Sequence, residues 1–265
     1  MPDVPISKSR FSRPVGQLKD LVVTLFLWAY FTIGFLIFFS PRYLVARLFA
    51  QDRTAAFQRL NSQFYRGFFA LCRFLIPRQR WDVSPEISKI HGSIVLCNHI
   101  SYLDSILLIS LFPRHTTIAK ARLFEIPLFG RFLALSGYIP STGRGPYADL
   151  FLNSIETMSE HLAHGGNIIV FPEGRRSRDG RVGSLHMGIF KIARRCRAPI
   201  AVLGIRNTER LFEPGRFRFH TCRRNTVHVR QIARLEPDYG NPDFSINTLI
   251  DQVRRLLAGH GEHAV

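Results

Sequence analysis

Residues 95–105, VLCNHISYLDS, run from an apolar stretch through a polar turn into a second apolar stretch, with His99 in the turn and Asp104 five positions on. The short apolar run Ser93–Cys97 reads as a buried strand, and Ser101 ahead of Asp104 reads as a helix start. Such a strand-to-helix unit belongs to α/β folds, in which ligands gather where strands end, so the turn Asn98-His99-Ile100 stands where a site is expected. The pair has two compatible readings. Ser101 and Asp104 can form a capping box, with the carboxylate favoured by the helix dipole. Alternatively, Asp104 holds one nitrogen of His99 and so fixes the tautomer in which the other nitrogen takes a proton. Residues five apart on a continuous helix point about 140° from each other, so contact requires the chain to turn between them. Ser101 supplies that break.

The same alternation of short β-branched runs and helical periodicity continues beyond Trp81. Candidate strands are Thr116–Ala119, Asn167–Phe171, Ile200–Ile205, Arg216–Thr221 and Thr226–Ile232. A helix over 147–166 places Leu150, Phe151, Ile155, Met158 and Leu162 on one stripe and stops at Gly165-Gly166. A last helix opens at Ser245 and closes at Gly259. The expected architecture is an α/β domain over 81–265, a mixed central sheet flanked by helices, preceded over 1–80 by membrane-anchoring helices.

The membrane expectation rests on Leu21–Pro41, 21 residues without a formal charge, close to the ~20 that a bilayer's hydrocarbon core requires. Trp28 and Tyr30 fall in its middle rather than at an interface, which favours a tilted or partly inserted helix. A cleaved signal peptide would have a shorter apolar region and a small-residue cleavage site, and neither is present. Basic residues are balanced on the two flanks, so charge does not orient the segment. A second stretch, Phe64–Pro77, carries Arg66 and Arg73 on nearly one side and reads as an amphipathic helix in the headgroup layer. Two helices dipping into one leaflet would keep both chain ends on one side of the membrane.

The 265 residues hold 36 Lys and Arg against 19 Asp and Glu, a net charge of +17. Such a chain suits anionic partners such as lipid headgroups, phosphorylated substrates, acidic carrier proteins or nucleic acid. No zinc-finger spacing, RNP signature or helix-turn-helix supports the last, so nucleic acid is not expected as a partner. Cys72, Cys97, Cys196 and Cys222 are scattered, as free thiols in a reducing compartment would be. His161 and His164 can share a helix face but have no third ligand, so no metal is expected.

A second motif lies about 70 residues beyond the first. In NIIVFPEGRRS, 167–177, a strand enters a turn stiffened by Pro172 and opened by Gly174. Glu173 can accept hydrogen bonds from hydroxyls, and Arg176 offers a planar fork for phosphate oxygens. With NHISYLD it resembles the N-H-x4-D and F-P-E-G-T-R-S blocks of the glycerolipid acyltransferase family, which includes the 1-acylglycerol-3-phosphate acyltransferases. The segment 120–144 is similar to the family's joining region, with Lys120, Pro127, Gly130 and Gly137 in matching places and Arg144 one residue late for the family's arginine. APIAVLGI, 198–205, resembles the fourth block, with Pro199 as its proline. Arg175 stands where the family has Thr and adds a cation beside Arg176. The resemblance covers roughly residues 20–235.

The resemblance implies acyl transfer from a thioester, acyl-CoA or acyl carrier protein, to the hydroxyl of a lysophospholipid, with 1-acyl-glycerol-3-phosphate giving phosphatidic acid. Glycerol-3-phosphate and a lyso-amino-acid lipid remain alternative acceptors, and a non-catalytic membrane-tethered lipid- or nucleic-acid-binding protein is the alternative to an enzyme. His99 and Asp104 are then catalytic, while Glu173, Gly174, Arg175, Arg176, Arg144 and Pro199 bind substrate, with no metal or further cofactor. The chain lacks G-x-S-x-G, so the base would activate a substrate hydroxyl, with backbone amides near Gly174 as candidate oxyanion donors. Membrane phospholipid is the expected surroundings, at the cytoplasmic face of the inner membrane if the source is bacterial.

Overall fold

The computed structural model describes residues 12–141, 148–177 and 181–262. Seven strands form one sheet in the order β1 (Gln79–Val83), β7 (Asn225–Leu235), β6 (Ile200–Arg206), β2 (Ile94–Cys97), β5 (Asn167–Val170), β3 (His115–Ala119) and β4 (Ile139–Pro140). From β6 to β4 every pairing is parallel, β6 and β7 are antiparallel, and β1 runs parallel to β7. The C-terminal ends of β2, β5, β6 and β3 therefore share one edge of the sheet with the N-terminal ends of β7 and β1.

The central strands are buried on both faces because each face has its own core. On β2, Val95 and Cys97 join one apolar cluster while Ile94 and Leu96 join the other, the period-two alternation of a strand. The first cluster draws on α3 (Arg53–Leu75) and α4 (Leu103–Leu111), and the second on α6 (Ala148–Ala163), α7 (Met187–Cys196) and α9 (Ile246–Glu262). The last helix continues beyond Gly259 to Glu262.

The N-terminal helices belong to the same body. α1 (Ser12–Ala29) continues through a π-helical stretch, Tyr30–Phe39, into α2 (Ser40–Phe49). The wide turn shows in the Ser40 N–H, which donates to the Phe35 carbonyl five residues back. Val23 and Leu27 lie in the first core with Ile205 and Val229, and the expected boundary at 80/81 falls inside β1. Phe31, Phe35, Phe39 and Tyr43, spaced four apart, pack on Phe64, Phe68 and Phe132, with ring centroids 4.7–6.1 Å apart.

Two expectations are corrected here. The apolar side of Phe64–Pro77 faces protein rather than lipid, since Phe64, Phe68, Phe69 and Cys72 are at most 5% exposed. Arg66 and Arg73 remain at the surface. Arg216–Thr221 is not a strand. Its amides find partners on α1 instead: Phe219 N–H donates to Thr24 Oγ1 at 3.0 Å, and Thr221 N–H and Oγ1 donate to Asp20 Oδ1 at 2.8 and 2.6 Å. Trp28 Nε1 donates to the Phe217 carbonyl at 3.3 Å, and the two rings stack. Asp20, Thr24 and Trp28 lie on one helix face by their spacing of four. Trp28 is therefore mid-segment because it faces this loop.

The opposite face of the 36-residue helical stretch Pro14–Phe49, long and apolar enough by length and composition to cross a membrane, is bare. Leu18, Phe26, Ile33, Leu36, Phe38, Leu48 and Phe49 are all more than half exposed. An apolar surface this extended is far beyond the scattered hydrophobic residues of an ordinary protein surface.

Candidate active site

β2 ends at Cys97, and the turn that follows is fixed by Asn98. Its side chain donates to the Ile205 carbonyl at 2.9 Å and accepts from the Ile205 amide at 2.8 Å, replacing the ladder where β2 leaves β6. The next residue, His99, rises at the sheet edge. Its Nδ1 lies 2.9 Å from Asp104 Oδ2. The same oxygen accepts from the amides of Ile100 and Ser101, each at 2.7 Å, and Oδ1 accepts from the Thr208 hydroxyl at 2.5 Å. Asp104 is fully buried, and four donors converge on its carboxylate. Ser101 Oγ accepts from Leu103 N–H at 3.3 Å while donating to the Phe212 carbonyl. Capping and the His–Asp contact thus coexist, because one carboxylate serves the helix start and the imidazole together.

The other nitrogen is left for chemistry. The His99 side chain is 16% exposed, and among the described residues no hydrogen-bond partner meets Nε2. The ring stacks on Phe171 with centroids 4.1 Å apart, which limits its rotation. Cys97, immediately before, is fully buried, and burial pushes its thiol well above the usual thiol range. It is not a thiolate nucleophile.

Beside His99 comes the turn after β5, tied across by the Ser177 amide, which donates to the His99 carbonyl at 2.7 Å. Glu173 is 6% exposed. Its Oε2 accepts from the Gly183 amide at 2.9 Å, while Oε1 is buried without a hydrogen-bond partner among the described residues. A buried carboxylate oxygen left in this state is costly unless a ligand donates to it. Gly174 has φ +65°, a backbone conformation that favours glycine, and a Cβ there would lie 2.6 Å from Nε2 of the exposed His186 side chain. Arg176 lies over the Tyr102 ring, 3.4 Å from its centroid, and Arg175 is exposed beside it.

Residues 82–206, which hold both motifs, match the family model described as Acyltransferase. This segment belongs to the acyltransferase family. Among curated proteins, the chain is 30% identical over 165 residues to a chloroplastic 1-acyl-sn-glycerol-3-phosphate acyltransferase of Brassica napus, covering 62% of this chain and 45% of that one. It is 32% identical over 166 residues to a 1-acyl-sn-glycerol-3-phosphate acyltransferase of Saccharomyces cerevisiae, covering 61% and 52%. The chain thus spans about half the length of these relatives. The crystal structure of a 1-acyl-sn-glycerophosphate acyltransferase from Thermotoga maritima has the same fold, with a TM-score of 0.69, 22% identity, and coverage of 94% of this chain and 97% of that one.

Within the acyltransferase domain, the expected site residues separate by location. His99, Asp104, Glu173, Gly174, Arg175 and Arg176 come together at the C-terminal ends of β2 and β5. Lys120, exposed just after β3, stands at the same edge. Pro199 does not. It precedes β6, where its carbonyl accepts from the Ile94 amide at the start of β2, so the length of the sheet separates it from His99. Its place is a strand entrance, which proline tolerates. Arg144 lies outside the described residues. The Gly174 amide donates to the Phe171 carbonyl at 3.0 Å, so it is not a spare oxyanion donor. His161 Nε2 and His164 Nδ1 are each bonded to a backbone carbonyl. Asn98 and Phe171 stand inside the two motifs but had no role assigned from them, and Thr208 lies outside both. Thr208 reaches Asp104 across 104 residues, a separation no local pattern encodes.

Proposed function

We propose that this chain transfers an acyl group from a thioester to the free hydroxyl of a lysophospholipid, with 1-acyl-glycerol-3-phosphate as the acceptor and phosphatidic acid as the product. One observation carries the reading. Among the described residues, a buried carboxylate holds one nitrogen of an imidazole whose other nitrogen is unengaged, beside a second buried carboxylate with an unpaired oxygen. The relatives named above support the choice of acceptor.

In the reaction, His99 Nε2 takes the acceptor hydroxyl proton as the oxygen attacks the thioester carbonyl carbon. Asp104 supports the imidazolium that forms. The tetrahedral adduct collapses by breaking the carbon–sulfur bond, and the leaving thiolate recovers the proton from His99. The products are one ester and one free thiol. Glu173 Oε1 accepts a hydrogen bond from the glycerol backbone and aims the hydroxyl at His99. Arg176 and Arg175 face the acceptor phosphate.

Labelled acyl thioester supplied with a panel of lyso-lipids tests the assignment. Glu173→Gln replaces one acceptor oxygen with a donor and is expected to lower kcat/KM by on the order of 10- to 100-fold, since a hydrogen bond to a charged group is worth about 1.5–3 kcal/mol. The loss should fall on the acceptor rather than the thioester. Transfer to none of the lyso-lipids would refute the reading.

The bare apolar face of Pro14–Phe49 supports a site that works at a lipid surface. Its other face is held against the domain along its length, which favours a helix lying in one leaflet over one that crosses. Substituting Phe26, Leu36 and Phe38 together with serine is expected to weaken binding to lipid vesicles by ~100-fold or more, given about 1.5–3 kcal/mol per large apolar side chain. Vesicle co-sedimentation measures this, and unchanged partitioning would exclude that face as the anchor.

A further inference from the structure

A concavity that the reaction above does not use is a cleft of about 660 Å³ at the β1–β7 margin of the sheet. Arg78, Arg80, Arg210, Arg224 and His228 line it, and Arg223 lines an adjoining hollow. No carboxylate is among the lining residues. The nearby carboxylates are Asp82, paired with His228 at 2.9 Å and with Arg230, and Glu209, whose Oε1 lies 3.8 Å from Arg210 Nε. Arg78, Arg80, Arg223 and Arg224 have no carboxylate partner among the described residues. Arg78 Nη1 instead donates to the Cys222 carbonyl at 3.0 Å and so fixes the loop that carries Arg223 and Arg224.

Several guanidinium groups gathered in one concavity repel each other unless an anion joins them, and their planar forks match phosphate oxygens. The position adds direction. β1 and β7 begin at the sheet edge where β2 ends, two residues before His99. Asn207 lines the cleft, Thr208 donates to Asp104, and Arg210 lines the cleft again. The single turn α8 (Thr208–Leu211) thus touches the catalytic pair on one side and the basic cleft on the other. The cleft is far larger than one phosphate, and its charge calls for several.

We propose that this cleft binds the phosphorylated nucleotide end of a coenzyme A thioester, leaving the thioester arm to reach over α8 toward His99. The assignment rests on the acyl-transfer reading and names the donor for it. Adenosine 3′,5′-bisphosphate is the probe, because its binding by calorimetry requires no turnover. Wild type is expected to bind it in a salt-sensitive manner. The double variant Arg80→Gln/Arg224→Gln, at two exposed positions, is expected to lose ~10-fold or more in that affinity and to raise KM for acyl-CoA by a similar factor, as two charge-assisted contacts disappear. Its kcat at saturating donor, its KM for the lyso-lipid and its binding to anionic vesicles should be unchanged. A donor lacking the nucleotide, an acyl-pantetheine thioester, should be used equally by both proteins.

Unchanged bisphosphate affinity and donor KM in the double variant would overturn the proposal. So would weakened vesicle binding or a raised lyso-lipid KM at constant donor KM, which would make the cleft a headgroup site. Activity with acyl carrier protein thioester and none with acyl-CoA would overturn it as well. Bisphosphate binding that depends on Arg80 and Arg224 in a protein without acyl transfer would uphold the nucleotide cleft and defeat the catalytic reading instead.

Discussion

His99→Ala is expected to lower kcat by about 10²–10⁴-fold, the range that a positioned general base contributes, while leaving the fold in place. The stability half of this expectation comes from the surroundings. The ring is partly exposed, stacks on Phe171, and gives Asp104 one of its four hydrogen bonds. Removing it leaves Asp104 with the Ile100 and Ser101 amides and the Thr208 hydroxyl. A loss of about 1 kcal/mol in stability is expected from one hydrogen bond. Thermal unfolding and single-turnover acyl transfer on the same preparation separate the two effects. Undiminished turnover would remove His99 from the mechanism.

Asp104→Ala should behave differently, because the carboxylate serves the helix start as well as the histidine. Its removal strands two backbone amides and a hydroxyl in a fully buried position. Each orphaned donor costs about 1–3 kcal/mol, so a loss of about 3 kcal/mol or more is expected. That corresponds to a fall in Tm of on the order of 10 °C for a chain of this size. Asp104→Asn keeps the volume but removes the charge and turns one acceptor into a donor; the amide oxygen stays toward the Ile100 and Ser101 amides, and Thr208 must accept where it now donates. Turnover is expected to fall by ~10²-fold or more, as the imidazolium loses its negatively charged partner. Full activity in the Asp104→Asn variant would reduce Asp104 to a helix cap. The contrast is diagnostic: His99→Ala should cost catalysis alone, and Asp104→Ala both catalysis and stability.

The contact between these residues was legible because every cause of it is local. An apolar run fixes β2, Ser101 interrupts the chain, and the carboxylate in the first helical turn has two nearby amides to accept. Glu173 and Gly174 were legible for the same reason, since a strand followed by Pro-Glu-Gly forces a turn at the sheet edge. Pro199 was misplaced because its motif fixes a strand without saying which end of the strand faces the site. Parallel pairing of β6 with β2 puts the proline at the far edge. Arg216–Thr221 has the apolar alternation of a strand, yet its amides bond to Thr24 and Asp20, partners 195 and 201 residues away.

The amino-acid sequence by itself determined that this chain is an α/β protein with an apolar N-terminal helix, and which histidine and carboxylates stand at strand ends, because periodicity, capping and turn chemistry act over a few residues. Tertiary structure alone decided that the N-terminal helices share the domain's core, that Thr208 completes the shell of Asp104, and that arginines from β1, α8 and the loop before β7 meet in one cleft. Those outcomes depend on strand order and direction, and both are set by which buried faces fit together across the whole chain.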